Sequence, residues 1–413
     1  MPLPARPTRL GPYDVVVKIA GGGMATIYLG RTRDASGAER LAAIKVIRHE
    51  LRGDERFVRM FLDEAKILSR MSHANIAATY EYGIDAEQHF IAMELLVGRT
   101  LLEVWEACKA RKVSLRLDHA AWIAARLADA LHYAHELRGE DGEPLQIVHR
   151  DVNPSNVFLT FDGEVKLFDF GLAKAIGRQS DSKVGIVKGK LPYLTPEQVE
   201  QLPIDRRADV FMLGTTLWEM TTMRRLFKRD DDAETVLAVR AALVPDPRAR
   251  LPSYPADLFG IVKRALARDR DYRYATAADL ARDLDAFVAS QPAPAGREDM
   301  ALLTGAILDA LFPGEREKRA LWLKRASSPG KAAQRTTLPP PGTMVGAHTP
   351  SMAPPPLPSR RSPPPSPPPP SPASVAHSSV APAPPPAPAP APPPSKTAGR
   401  KPRSVPKVRA RKA

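Results

Sequence analysis

A single cysteine, Cys108, rules out an intrachain disulfide and with it the stapled scaffolds of small secreted proteins. Residues 1–12 carry Arg6, Arg9 and several prolines but no apolar core of the kind a secretory signal has. No uninterrupted apolar run reaches the length of a membrane span, the nearest approach being broken by Asp309 and Arg319. A cytoplasmic protein without a transmembrane segment is expected. Acidic residues are missing from one whole region: from Lys318 to the end there is no Asp or Glu, against sixteen Lys and Arg. That excess is larger than the net charge of +14, so everything before Lys318 is close to neutral. The basic pI therefore does not describe a nucleic-acid-binding fold.

What is abundant is proline, at 44 of 413 residues too frequent for one compact domain. The prolines crowd beyond Ser327, as in 363–370 and 382–394. A Pro, Ala and Ser composition buries too little apolar area to offset backbone entropy, so 327–413 is expected to be a disordered tail of polyproline II character with a basic end. The rest divides into an N-terminal extension (1–12), a strand-rich small lobe (13–96), a mainly helical large lobe (97–289) and a short helical extension (297–326). Val15–Ile19, Thr26–Gly30, Ala42–Ile47 and Phe90–Glu94 read as strands, and Phe57–Met71 as an amphipathic helix with apolar residues at helical spacing. His119–Glu136, Ala208–Met223, Phe259–Ala267 and Thr276–Val288 read as large-lobe helices. Asp299–Leu311 and Glu315–Lys324, around Pro313-Gly314, read as two more helices whose apolar stripe docks on the large lobe.

The most informative stretch is Val148-His149-Arg150-Asp151-Val152-Asn153-Pro154-Ser155-Asn156, followed by Asp169-Phe170-Gly171. Phosphoryl transfer needs hard-cation ligands and a group that orients the attacking hydroxyl. Asn156 and Asp169 suit Mg²⁺, and Asp151 suits the proton-accepting role. Upstream, Ile19-Ala20-Gly21-Gly22-Gly23-Met24-Ala25-Thr26-Ile27-Tyr28 lies between two strands, where absent Cβ atoms let backbone amides close over phosphates; a hairpin turn has the same composition. Lys45 ends an apolar strand, and Glu64 lies on the amphipathic helix; a surface lysine and a solvated glutamate are the plainer readings.

Taken together these motifs resemble the protein kinases, in particular the bacterial Hanks-type serine/threonine enzymes, across residues 13–289. The resemblance implies an α+β bilobal protein-kinase-like fold that uses ATP and Mg²⁺ to phosphorylate protein Ser and Thr. It implies that Glu64, rather than Asp63, pairs with Lys45 to hold it toward the α- and β-phosphates. It implies that Glu94 and Leu96 offer backbone groups to adenine, that Met93 gates the pocket behind, and that Ile19, Ile27, Ala43 and Phe158 enclose the base. Gly21, Gly22 and Gly23 would cover the phosphates. By the same resemblance Glu197 pairs with Arg273, Asp209 braces the catalytic loop, with a helix cap as its alternative reading, and Arg150 can bind a phosphorylated activation segment in which Ser180 and Ser182 are candidate sites, with solvent-exposed serines the preferred reading. Thr195 is expected to have a packing role.

Two positions depart from the family. Asn153 stands where a lysine near the γ-phosphate is usual, and Lys190 where a threonine is usual. Lys190 is read as supplying from the activation segment the charge that Asn153 cannot, with a solvated loop lysine as the alternative. These departures, with Ala20 and Ala25 at the outer glycine positions, leave a pseudokinase scaffold open. A third reading makes the tail the functional centre, its basic end from Arg400 to Lys412 binding a polyanion and its proline runs docking partner proteins.

Overall fold

The structure is a computed structural model that describes residues 8–21, 25–33, 36–170, 190–292 and 296–327. Gly22, Gly23, Ser180, Ser182 and the Pro-rich tail lie outside the described residues.

The small lobe is built on a six-stranded antiparallel sheet of order β1-β2-β3-β4-β6-β5. Its strands are β1 (Arg9–Leu10), β2 (Tyr13–Gly21), β3 (Ala25–Arg33), β4 (Glu39–Ile47), β5 (Thr79–Asp85) and β6 (Gln88–Met93). Strand β4 shows why the sheet holds. Ala42, Ile44 and Val46 fill one apolar cluster, and Ala43 and Ile47 fill another on the opposite face. Alternation puts Lys45 on the Ala43 side, toward the lobe interior. The two edge strands, β1 and β5, had no clear sequence signal. Thr-Tyr-Glu-Tyr-Gly-Ile-Asp is half exposed along its length, and an edge strand needs apolar residues on only one face. Strand β1 falls inside the stretch set apart as an N-terminal extension and pairs with the start of β2.

Helix α1 (Glu55–Leu68) starts where the Asp54 carboxylate accepts from the amides of Arg56 and Phe57. It ends three residues before Met71. Phe61, Glu64, Ala65 and Leu68 form its buried stripe, so Glu64 is the one acid that the helical period turns inward.

In the large lobe, β7 (Gly98–Thr100) pairs with β8 (Val157–Thr160), which pairs with β9 (Val165–Leu167). Helix α2 (Leu101–Arg111) opens on a Thr100–Glu103 capping box. Helix α3 (Leu117–His135) packs against α5 (Arg207–Thr222), whose residues from Ala208 to Thr221 are all buried. The short α4 (Pro196–Val199), then α6 (Asp232–Ala241), α7 (Ala256–Ala265) and α8 (Ala277–Ala289) complete the lobe.

The extension forms α9 (Arg297–Leu311) and α10 (Glu315–Ser327). Helix α9 docks on the large lobe through Met300, Thr304 and Leu308, and glycine makes the approach possible. A Cβ on Gly163, at φ +89°, would lie 2.1 Å from the Ala301 carbonyl oxygen, and one on Gly305 would lie 2.6 Å from that of Phe161. Helix α10 departs from expectation. After the turn at Gly314 (φ +72°), Trp322, Leu323 and Ala326 join the apolar cluster of the small lobe instead of packing only below.

Candidate active site

The site lies where α1, β4, the loop after α3 and the loop after β9 meet. From β4, the Lys45 ammonium reaches Glu64 Oε1 at 3.4 Å and Asp169 Oδ1 at 2.9 Å. Burial alone pushes the lysine pKa down, but the two carboxylates outweigh it and raise the pKa, so Lys45 stays charged. Burial pushes the Glu64 carboxyl up, against the pull of Lys45. Asp169 differs. Its surroundings also penalise charge, yet Lys45, then Lys190 and His149, hold its carboxyl below the usual range. With 51% of its side chain exposed, Asp169 faces the open cleft on one side.

The loop between α3 and β8 is fastened from beneath by Asp209, in the first turn of α5. Its carboxylate accepts from the His149 and Arg150 amides, each at 2.8 Å, and from His135 Nε2 at 2.8 Å. A helix cap was the alternative reading of Asp209, and these bonds reach into the loop instead. The fastened loop holds Arg150 in left-handed backbone (φ +65°), and Asp169 (φ +54°) is left-handed as well. Phe168 N donates to the Asn156 carbonyl at 3.1 Å, which ties the two functional loops together.

Asp151 is 9% exposed. Its Oδ2 accepts from Asn156 Nδ2 at 3.0 Å and from Lys190 Nζ at 2.6 Å. Asn156 also donates to the Asp151 carbonyl, so the oxygen of its amide is the atom left for a cation. Asn153 is 1% exposed and structural: it donates to the Asp151 carbonyl at 2.7 Å and accepts from the Ser155 amide. Asn153 thus caps the turn behind the site, while Lys190 lies on the Asp151 carboxylate. Lys190 is ion-paired there, with 32% of its side chain exposed.

The residues expected to enclose the base are brought together in part. Ala43 and Phe158 are fully buried, and Ile19, Met93 and Leu96 nearly so, within one apolar cluster against which Ile27 packs. Behind Met93 is a small cavity lined by Lys45, Glu64, Leu68, Ile91 and Phe170. Of the two Glu94 backbone groups the amide donates to the Ala78 carbonyl at 2.7 Å, which leaves the carbonyl for a ligand edge. Gly21 ends β2, and the glycines that follow it lie outside the described residues.

The sequence reading overlooked the Glu94 side chain, which pairs with Lys166 at 3.0 Å and accepts from the Ala78 amide. Lys166 is buried beside it, and a lysine between Val165 and Leu167 in a fully buried strand was the available signal. Away from the cleft, Glu197 and Arg273 form the expected pair, bidentate at 2.7 and 2.8 Å and buried. Thr195 caps α4 in a box with Gln198.

The donor set fits a nucleotide-borne cation. Asn156 and Asp169 contribute hard oxygens, and the described residues hold no cluster of three or more His, Cys, Asp or Glu that could cage a metal alone. Mg²⁺ binds in this way, through one or two protein oxygens plus waters and phosphates.

A family model described as a protein kinase domain matches residues 13–283. The chain is 37% identical over 306 residues to a Myxococcus xanthus protein named tyrosine-protein kinase MasK, covering 74% of this chain and 47% of that one. It is 32% identical over 274 residues to serine/threonine-protein kinase PrkC of Bacillus subtilis, covering 66% and 40%. Serine/threonine-protein kinase PknL of Mycobacterium tuberculosis is 33% identical over 276 residues, covering 67% and 65%. The chain therefore spans less than half the length of the first two relatives. The crystal structure of the Mycobacterium tuberculosis PknI kinase domain superposes with a TM-score of 0.50 at 26% identity, over 67% of this chain and 97% of that domain. Among the described residues, no helix is long and apolar enough to cross a membrane.

Proposed function

Because the chain belongs to the protein kinase domain family, we propose that it is an ATP- and Mg²⁺-dependent protein serine/threonine kinase. The acceptor oxygen forms a bond to the γ-phosphorus, the bond from that phosphorus to the β–γ bridging oxygen breaks, ADP leaves, and the acceptor proton passes to Asp151. Asn156 and Asp169 hold the cation, which when bound neutralises charge on the phosphate oxygens. Lys45, kept charged and aimed by Glu64, takes the α- and β-phosphates. Lys190 supplies positive charge beside Asp151 in place of the lysine that Asn153 replaces. The base packs between Ile19, Ile27 and Ala43 above and Phe158 below, with its edge on the Glu94 carbonyl and Leu96.

The observation that carries this reading is the Glu64–Lys45–Asp169 chain at 3.4 and 2.9 Å, which weighs against a pseudokinase scaffold. Serine/threonine preference draws on the loop after Asp151, which lacks the arginine-containing pattern typical of tyrosine kinases. It also draws on the names of PrkC and PknL, while the name of MasK favours tyrosine. Incubation with γ-labelled ATP, Mg²⁺ and a generic acceptor protein, followed by phosphoamino-acid analysis, decides. Phosphoserine and phosphothreonine that vanish in Asp169→Ala are expected. Phosphotyrosine alone would move the specificity, and no transfer would leave the scaffold.

A further inference from the structure

The linker from β6 to β7 carries two adjacent leucines, Leu95 and Leu96, each 1% exposed. Side chains of consecutive residues in an extended connection point to opposite sides, so the two leucines need cover from two directions, and both lie in one apolar cluster that also holds Phe158 and Phe168. Trp322, Leu323 and Ala326 of α10 pack into the same apolar cluster as Leu95, Leu96, Met93 and Ala43.

The other end of α10 is fixed to the large lobe. Arg99, on β7, bridges Glu103 of α2 at 2.9 Å and Glu315 of α10 at 3.0 Å. Arg319, one turn on, is 4% exposed and 3.6 Å from Glu315. Arg316 binds the Phe161 carbonyl and Asp162, and Arg111 donates to the Ala310 and Leu311 carbonyls at 2.7 Å each. At 1.5 Å per residue, Glu315 at the ionic anchor and Trp322 at the apolar one are roughly 10 Å apart along the helix. One helix is thus held at one end by charge, on the large lobe, and at the other by apolar packing, on the cluster that holds the linker leucines.

We propose that α10 is a positioning element for nucleotide binding, in which Trp322, with Leu323 and Ala326, braces the interlobe linker so that its backbone presents a fixed edge to the base. The proposal rests on the kinase reading. A linker that samples other conformers binds ATP only in the competent fraction, so apparent affinity falls in proportion to that fraction. Asp151, Asn156 and Lys190, which the kinase reading assigns to the transfer step, belong to neither α10 nor the linker. Its signature is therefore a KM effect confined to ATP.

The test uses the full chain with Trp322→Ala, Trp322→Phe and Leu323→Ala, measuring kcat, the KM for ATP, the KM for the acceptor protein, and binding of trinitrophenyl-ATP. Trp322→Ala is expected to raise the KM for ATP and the Kd of the analogue about fivefold. Its kcat and acceptor KM should stay within about twofold, Leu323→Ala should follow the same pattern, and Trp322→Phe should restore most of the loss. An active wild type whose ATP KM is unmoved by Trp322→Ala and Leu323→Ala overturns the brace and leaves the kinase reading standing. So does a uniform fall in kcat and both affinities that tracks lost thermal stability. A wild type that transfers nothing overturns the kinase reading, and the Kd of the analogue then decides the brace.

Discussion

Replacing Lys190 by alanine is the most direct probe of how this cleft works, because its ammonium sits 2.6 Å from Asp151 Oδ2. Two unit charges about 4 Å apart interact by ~4 kcal/mol at an effective dielectric constant near 20. Only part of a unit charge shifts on the transferring group, and the lysine side chain is 32% exposed, so roughly half of that survives as differential stabilisation. A loss of ~2 kcal/mol corresponds to about thirty-fold in kcat. Steady-state phosphotransfer at saturating ATP, with unfolding followed in parallel, reads the effect. Unchanged turnover would refute the proposed role, and faster turnover would mean that the lysine restrains Asp151 instead of serving it. Moving the cation back, with Asn153→Lys and Lys190→Thr together, is a harsher test than the sequence suggested. Asn153 caps the turn at Pro154–Asn156, and its loss costs about 1 kcal/mol before any chemistry is considered.

Glu197→Gln should destabilise the large lobe by about 3 kcal/mol in urea unfolding, because it leaves the Arg273 guanidinium buried without its bidentate partner; a change below about 1 kcal/mol would show the pair to be dispensable. Asp209→Ala should lower kcat by at least about tenfold while ATP binding persists, since the loop bearing Asp151 loses two amide anchors; full activity would contradict the bracing role. His119, buried in α3 with Nε2 2.8 Å from Thr304 Oγ1 of α9, has its pKa pushed down to about 4 by burial. Between about 6.5 and 4 the unfolded chain binds a proton that the folded one refuses, so stability is lost as the pH is lowered through that window, by up to ~3 kcal/mol. Urea midpoints at pH 7 and 5 should differ less in His119→Gln than in wild type, and equal differences would exclude His119 as the cause.

Much of the fold was legible because its elements obey strict periods. Strand β4 alternates two buried faces, and α1 repeats its apolar residues at helical spacing, so both were placed within a few residues. Strands β1 and β5 were not, since edge strands with one solvated face carry too little pattern. Asp151, Asn156 and Asp169 could be singled out because hard oxygen donors sit in one short span, where local spacing alone limits their separation.

What the sequence determined by itself was the inventory: which acids, amides and lysines were available, and a Pro-rich end without acidic residues. Tertiary structure decided their partners. It placed Lys190 on Asp151 across 39 residues of chain, turned Asn153 into a cap, closed the Glu94 amide on Ala78, and carried α10 past the large lobe to the apolar cluster that holds Leu95 and Leu96. Each of these contacts joins groups distant in sequence, or chooses among several bonds open to one group. Periodicity fixes which face of an element a residue occupies, but only packing fixes what that face meets.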